Sequence, residues 1–453
     1  MTYNYFVDLS SIFFIIFISG MTLASFVNNT LDWLNSNKVN IKNNIKRLHS
    51  LNPLAKKLFT NNKIRKALNY KRTKDKFSDF VDSSESVFHS MITLFGISPF
   101  IIHYLMNMLP NVDFIWIFVG LEVFSIILTT IIEYPINYYN NFNIEQSYGF
   151  NTMSKKTFVI DNIKGIILGS TFSSISSIIL YYLLIYVGKF NPINICYFIA
   201  GVMLTGFIIE FLYSSVIMYW FNKFSPLPKN RKSLNTKIIN LFKKYNYSKV
   251  KVLVMDASRR TKHSNAFIGG IGKSKKVVLF DNLLKNCTDD EILAIIGHEL
   301  GHGKLHHLHI HRLYSLIKLT AMSFITFNLI YNVDLYHAFG YSWVNNDNIM
   351  NYGLIGFTLS MMVIGSVKWI LNPFESWMSR KMEYAADRYS IRNTGRKNAM
   401  ISSLLKLSSE NLSDVFPNEF YEMWNYSHPS ILKRIEALKL AITKDDCHSL
   451  IDF

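Results

Sequence analysis

Long apolar stretches dominate the pattern of hydrophobic and polar positions along the chain. A helix needs about 20 consecutive apolar residues to cross a bilayer. We therefore predict seven transmembrane helices and an all-α polytopic membrane protein. The stretches are residues 9–27, 87–109, 114–132, 166–187, 195–221, 319–333 and 350–370.

The positions of Lys and Arg predict the orientation of these helices. Segments 28–86 and 222–312 and the chain after residue 370 are rich in basic residues, whereas connections 110–113 and 334–349 have none. Short basic loops remain on the cytoplasmic side of a membrane. Seven crossings therefore put the N-terminus in the lumen and the C-terminus in the cytosol.

Composition and charge narrow the class of protein further. The 453 residues are 49% hydrophobic and 17% charged, with a net charge of +17. This composition excludes intrinsic disorder, and three scattered cysteines without a CxxC pair do not fit a disulfide framework or a thiolate metal site. The basic residues flank apolar helices, so we expect them to face membrane lipid, and we expect no nucleic-acid partner.

The segment after residue 222 changes its pattern to that of a small α/β unit. Residues 233–245 have the spacing of an amphipathic helix, and 250–255, 266–271 and 276–280 are β-like runs. Thr288 and Glu291 then form a predicted capping box that opens a further helix.

This capped helix carries His298-Glu299-Leu300-Gly301-His302. A spacing of four residues places both imidazoles on one helical face, where they can bind one Zn²⁺. Glu299 lies beside them and is predicted to take a proton from zinc-activated water. The pattern is that of a metalloprotease.

The third zinc ligand distinguishes the protease classes. A metzincin would need histidine at position 308, where this chain has Leu308, and the charged flanks of the motif disfavour an intramembrane site-two protease. Glu383 in the later run Arg380 to Asp387 fits the glutamate ligand of a gluzincin, with Asp387 one turn away to orient a ligand histidine. We expect one catalytic zinc per chain.

The histidines of the run after the motif are interpreted as surface or cavity-lining residues: His306, His307, His309 and His311.

With these residues, the chain resembles the CAAX prenyl protease 1 family, zinc metalloproteases of the endoplasmic reticulum membrane. Four further segments carry the resemblance: Ile144 to Asn151, Phe221 to Pro228, His263 to Asp281, and His428-Pro429 through Arg434. The chain departs from the family pattern at Gln146, Tyr219 and Ser430, none of which is a predicted ligand.

The resemblance implies a barrel of seven helices around a large chamber, with zinc at its cytosolic end in a small α/β metalloprotease portion. It implies a substrate, the farnesylated C-terminus of a CaaX protein, from which the last three residues are removed. By the same resemblance Asn265 and Ala266 bind the substrate backbone, His428 stabilises the oxyanion, and Arg434 supports the site through Glu383 or the substrate. It places the protein in the endoplasmic reticulum membrane; we expect a monomer.

The predicted domain organisation has four parts. Residues 1–221 hold five spans and the basic loop 28–86, and residues 222–315 hold the protease segment. Residues 316–373 hold the last two spans, and residues 374–453 hold a cytosolic segment with the third ligand.

Two other functions stay open. One is a membrane quality-control zinc protease that degrades misfolded or translocon-stalled proteins, and the other is a non-enzymatic seven-helix transporter or receptor.

Overall fold

The computed structural model describes residues 4–38, 41–187, 192–212, 217–247, 249–269 and 274–441. Up to residue 221 these residues form helices α1 (Ile12–Ser36), α2 (Ile41–Leu51), α3 (Pro53–Leu58), α4 (Asn61–Leu94), α5 (Ile97–Met108), α6 (Phe114–Tyr139), α7 (Gln146–Tyr148), α8 (Lys155–Val187), α9 (Pro192–Leu212) and α10 (Met218–Phe221). A π-helical turn, Asn140–Glu145, joins α6 to α7.

The second half combines a small sheet with ten more helices. In chain order these elements are β1 (Phe224–Pro226), α11 (Lys232–Lys243), β2 (Lys249–Met255), β3 (Ala266–Gly269), β4 (Ser274–Phe280), α12 (Asp281–Asn286), α13 (Asp289–Lys304), α14 (His307–Ile330), α15 (Val333–Ala338), α16 (Gly353–Val367), α17 (Asn372–Thr394), α18 (Lys397–Glu410), α19 (Glu419–Asn425) and α20 (Ile431–Leu440). Short 3₁₀ turns lie at Lys229–Arg231, Ala257–Arg259, Ile349–Tyr352 and Lys368–Leu371.

Within the described residues, the seven predicted spans coincide mostly with helices, but not all of them with single long ones. Among the described residues, five helical stretches are long and apolar enough to cross a membrane: Ile12–Ser36, Phe114–Tyr148, Lys155–Tyr186, His307–Ile330 and Ile349–Thr394. The predicted span 87–109 corresponds to α4 and α5, which meet at 52°, and the span 195–221 to the shorter apolar helix Ile193–Ile209. Part of that last span, 213–216, lies outside the described residues. The number seven therefore stays a prediction.

The bend between α4 and α5 occurs at Gly96. Its φ of 59° lies in the left-handed region, and a Cβ there would approach Tyr5 O to 1.8 Å. Only glycine adopts this conformation at low cost, so the helix breaks at this residue.

The spanning helices contact one another in a closed circuit. α1 contacts α16, α16 contacts α8, and contacts continue through α6, α5 and α4 back to α1, while α14 and α9 form a second connection between α16 and α8. Only 6% of the apolar stretch of Lys155–Tyr186 is buried, although α8 packs against helices on both sides. A solid bundle would also bury the inward face of such a helix. The helices thus form a ring around open space, as expected for a barrel with a chamber.

The sheet of the second half has the order β1-β2-β4-β3. β2 and β4 are parallel, while β1 and β3 pair antiparallel to them. α11 and α13 cover the sheet, and Phe242, Leu279 and Ile296 are fully buried between these layers. β3 is an edge strand that also contacts α13.

The sequence predicts most of this unit correctly. The amphipathic helix 233–245 is α11, and the three β-like runs are β2, β3 and β4, although residues 270–271 of the second run lie outside the described part. The three-residue strand β1 is missed, since it contains Pro226 and is too short to show an alternating pattern.

The basic N-terminal loop packs on the C-terminal helices. Leu48 of α2, Phe59 after α3 and Ile64 of α4 share a core with Leu405 of α18 and Ile435 of α20. The loop and the C-terminal segment therefore lie on the same side of the ring, as the distribution of basic residues predicts. The four-part domain division stays a prediction.

Candidate active site

The first two candidate ligands lie on α13, a helix with a well-defined start. The Thr288 side chain accepts a hydrogen bond from Glu291 N–H, and the Glu291 carboxylate accepts one from Thr288 N–H at 2.8 Å. The predicted capping box is thereby confirmed. His298 and His302, three turns further along, project from the same face of the helix.

The backbones of α13 and α17 approach closely because both helices present small residues at their contact. A Cβ added at Gly301 would lie 3.2 Å from Ala386 Cα, and one at Gly297 would lie 2.7 Å from Thr394 Cγ2 and 2.9 Å from Ser390 Oγ. Gly297 and Gly301 are four residues apart, as are Ala386 and Ser390, so each pair forms one stripe of its helix. Larger side chains would separate the helices and with them the two halves of the site.

Three side chains converge at this contact. His302 Nε2 lies 3.2 Å from His298 Nε2 and 3.2 Å from Glu383 Oε1, and His298 Nε2 lies 3.4 Å from Glu383 Oε2. Tetrahedral zinc with bonds of about 2.0–2.1 Å would hold its ligand atoms about 3.3 Å apart. The spacing of these atoms fits one zinc ion.

The surroundings of the three side chains also fit a metal. Among the residues that the structure describes, this is the one group of His, Cys, Asp or Glu side chains whose ligand atoms lie close enough to hold an ion, all within 4.8 Å of one another. Glu383 Oε2 is buried and makes no hydrogen bond to another described residue. Arg434 Nη1 approaches this oxygen only to 3.5 Å, so a directly bound cation would satisfy it better. Cys447 lies outside the described residues.

The nearby carboxylates favour positive charge at this position. Burial disfavours the charged form of His298, but the carboxylates of Asp387 and Glu383 outweigh burial and raise the pKa of this imidazole to about 9. A divalent cation would supply the charge that these carboxylates favour.

Asp387 and Arg434 support His298 from behind. Asp387 Oδ1 lies 2.8 Å from His298 Nδ1. Arg434 of α20 donates two hydrogen bonds to the Asp387 carboxylate, at 2.8 and 2.6 Å, and its Nη1 lies 3.5 Å from Glu383 Oε2. All three side chains are buried. The guanidinium thus neutralises the Asp387 carboxylate that contacts His298, and it also lies near Glu383.

Glu299 lines a cavity of about 190 Å³ together with His302 and Ile268. Burial raises the pKa of its carboxyl above the usual range, against the opposing effect of the neighbouring imidazoles. A carboxylate of raised pKa is a stronger base than an exposed one, which suits a proton acceptor.

His428 lies at the opposite, open side of the group. Its Nε2 is 3.4 Å from Glu383 Oε1, its side chain is 64% exposed, and Ser427 Oγ lies 3.0 Å from its Nδ1. It belongs to the loop between α19 and α20, beside a second cavity of about 530 Å³. The position leaves its ring free to meet a bound molecule.

Asn265 and Ala266 lie at the start of the edge strand β3. Phe280 N–H donates to Asn265 O at 3.0 Å, and Ala266 pairs with Leu279. Hydrogen-bonded pairs alternate along an antiparallel ladder. The N–H and C=O groups of Ala266 and Ile268 therefore point to the open edge, where the Asn265 side chain accepts a hydrogen bond from Ala266 N–H at 2.8 Å.

Sequence reasoning missed two features of this site. The small-residue stripes of α13 and α17 were readable from the sequence as pairs spaced by four, but nothing indicated that they would face each other. His307 and His311 do line the cavity beside Glu299, in agreement with the interpretation of the histidine run as surface or cavity lining. The side chain of His307 is also buried, with its Nδ1 3.0 Å from His302 Nδ1, and this contact was missed.

A buried His-His-Glu group on two tightly packed helices, joined to a ring of membrane helices, defines a membrane metalloendopeptidase. Comparisons with known proteins agree. Residues 228–442 match the family described as Peptidase family M48, and residues 42–223 match the one described as CAAX prenyl protease N-terminal, five membrane helices. The chain belongs to the CAAX prenyl protease 1 family.

Individual relatives cover most of the chain. CAAX prenyl protease 1 of Saccharomyces cerevisiae is 30% identical over 395 residues, 82% of this chain and 85% of that protein. The CAAX prenyl protease 1 homolog of Oryza sativa is 33% identical over 325 residues, 71% of this chain and 72% of its own. The crystal structure of S. mikatae Ste24p superposes with a TM-score of 0.79 at 25% identity, covering 94% of this chain and 97% of that one.

We expect Gly297→Ala to weaken zinc binding about tenfold, because the added methyl group displaces α17 and with it Glu383. Gly303→Ala is the matched control, since its Cβ would meet only Tyr247 Oη, at 3.8 Å. Competition with a chelator measures both affinities. Equal zinc affinity in the Gly297→Ala variant and the wild type would show that the close helix contact is not what assembles the site.

Glu383→Gln should lose most of the zinc, because the neutral amide is a weak ligand. Glu299→Gln should retain zinc at the wild-type level, because Glu299 does not belong to the ligand group. Metal analysis of the two purified variants checks this, and a zinc-loaded Glu383→Gln protein would remove Glu383 from the ligand set.

Proposed function

We propose that this protein is a zinc-dependent endopeptidase that removes the last three residues from prenylated CaaX proteins. The observation that carries the proposal is the His298, His302 and Glu383 group beside an open strand edge and a ring of membrane helices. The relatives named CAAX prenyl protease 1 supply the substrate class. A lipid-modified substrate also suits a site joined to membrane helices.

Each residue of the site has a separate role in peptide hydrolysis. When bound, zinc would act as a Lewis acid toward the scissile carbonyl and the attacking water. Glu299, half-buried beside the ligands, accepts the proton of that water and passes it to the leaving amine. His428, with its exposed ring, donates a hydrogen bond to the oxyanion. Asp387 and Arg434 hold the ring of His298 in place.

The open edge of β3 is suited to bind the substrate backbone. An extended peptide can add to this edge by hydrogen bonds to the outward N–H and C=O groups of Ala266 and Ile268. Asn265 would release the Ala266 N–H as the substrate binds. Such binding does not depend on side chains, which suits an enzyme that accepts different C-terminal sequences.

We further propose that the protein is a monomer in the endoplasmic reticulum membrane, with the N-terminus in the lumen and the metal site in the cytosol. The basic segments support this orientation, because the N-terminal basic loop and the C-terminal segment share one core. Farnesylated proteins are membrane-bound on the cytosolic side, where this site would meet them.

Glu299→Ala should reduce turnover of a farnesylated CaaX peptide by at least about 100-fold while zinc content stays unchanged, because the general base is lost. The assay is run beside the same peptide without the farnesyl group, which the wild type should cleave far more slowly. Wild-type turnover by the variant would overturn the mechanism. Equal cleavage of both peptides would instead favour a quality-control protease.

Ile268→Pro should impair peptide cleavage and retain fold and zinc, because proline removes an N–H that points to the open edge of β3. Phe267→Pro is the contrasting variant, since its N–H bonds to β4 and its loss should lower the thermal midpoint. The prediction is checked by peptide turnover and by thermal unfolding. Full activity of a folded Ile268→Pro protein would contradict substrate binding at this edge.

A further inference from the structure

The turn between α13 and α14 returns the chain to the metal ligands. His306 adopts a φ of 59°, in the left-handed region that only a few non-glycine residues occupy. The turn directs the next side chain inward. His307 is 5% exposed, whereas His306 and His309 are exposed. Burial of a single histidine from this run indicates a specific partner.

That partner is the ligand His302. Their Nδ1 atoms lie 3.0 Å apart, with the rings at 72°. His302 Nε2 faces the other two ligand atoms, at 3.2 Å from each. A neutral imidazole that binds a metal through Nε2 carries its proton on Nδ1. The Nδ1–H of His302 must then donate, and His307 Nδ1 must accept.

We propose that His307 is a positioning residue, which accepts this hydrogen bond and holds the His302 ring with Nε2 toward the metal. The inference rests on the proposed zinc site. Metal-bound histidines usually donate their other N–H to a carboxylate, a carbonyl or water. Here the two ligands differ, since Asp387 supports His298 with a negative charge and His307 supports His302 without one.

Two substitutions separate the hydrogen bond from simple packing. His307→Leu retains bulk but removes the acceptor, whereas His307→Asn places Oδ1 where Nδ1 of the histidine was. His309→Leu is the matched control, because His309 is an exposed residue of the same helix. Zinc affinity of the purified full-length proteins is measured by chelator competition, with no substrate present.

We expect His307→Leu to weaken zinc binding about tenfold or more, and His307→Asn and His309→Leu to stay within about twofold of the wild type. Wild-type affinity in a folded His307→Leu protein would overturn the proposal, as would an equal loss in His307→Asn. If the leucine variant does not fold, as judged by helical circular dichroism, His307→Ala serves as the variant without an acceptor.

These results are distinguishable from a failure of the proposed function. A wild-type protein that binds zinc but leaves the farnesylated peptide intact would overturn the function and not the role of His307. An active protein whose His307→Leu variant binds zinc as tightly as the wild type would do the reverse.

Discussion

The site depends on how closely two helix backbones approach each other. Glu383 reaches His298 and His302 because a glycine stripe on α13 allows α17 to pack within van der Waals contact of its backbone. Ser390 strengthens the contact by donating a hydrogen bond to Ala294 O at 2.5 Å. Glycine lowers the stability of a helix by about 1 kcal/mol relative to alanine. Gly297 and Gly301 carry that cost, and the close helix contact that they allow brings the three candidate ligands together.

Buried charge extends the site from the ligands to the C-terminal helices. Asp387 and Arg434 are both buried, and removing either partner of such a pair typically costs about 3–5 kcal/mol because a buried charge is left uncompensated. Since Arg434 lies on α20, the C-terminal segment contributes a buried cation to the group formed by His298, Glu383 and Asp387. The same segment shares a core with α2 and α3, so the N-terminal basic loop is also linked to the geometry of the ligands.

Local patterns in the sequence predicted the parts of this structure that local physics determines. The capping box at Thr288, the helical positions of His298 and His302, and the strands β2 to β4 all follow from spacing and propensity. Contacts between distant segments could not be derived in this way. The approach of Glu383 to the histidines was inferred from a motif, whereas the packing of Gly301 on Ala386 and the return of His307 depend on tertiary structure. The glycine at position 96 was visible in the sequence, but the bend was not, because apolar composition alone does not show where a helix changes direction.

Two histidines of α13 and one glutamate of α17 should together bind a single zinc ion. Metal analysis of the protein purified without added metal, combined with X-ray absorption at the zinc edge, tests this most directly. We expect one zinc per chain, bound by two imidazole nitrogens at about 2.0–2.1 Å and by oxygen ligands, with no sulfur. A chain without stoichiometric metal, or a zinc ion bound by sulfur or by a third imidazole in place of the carboxylate, would contradict it.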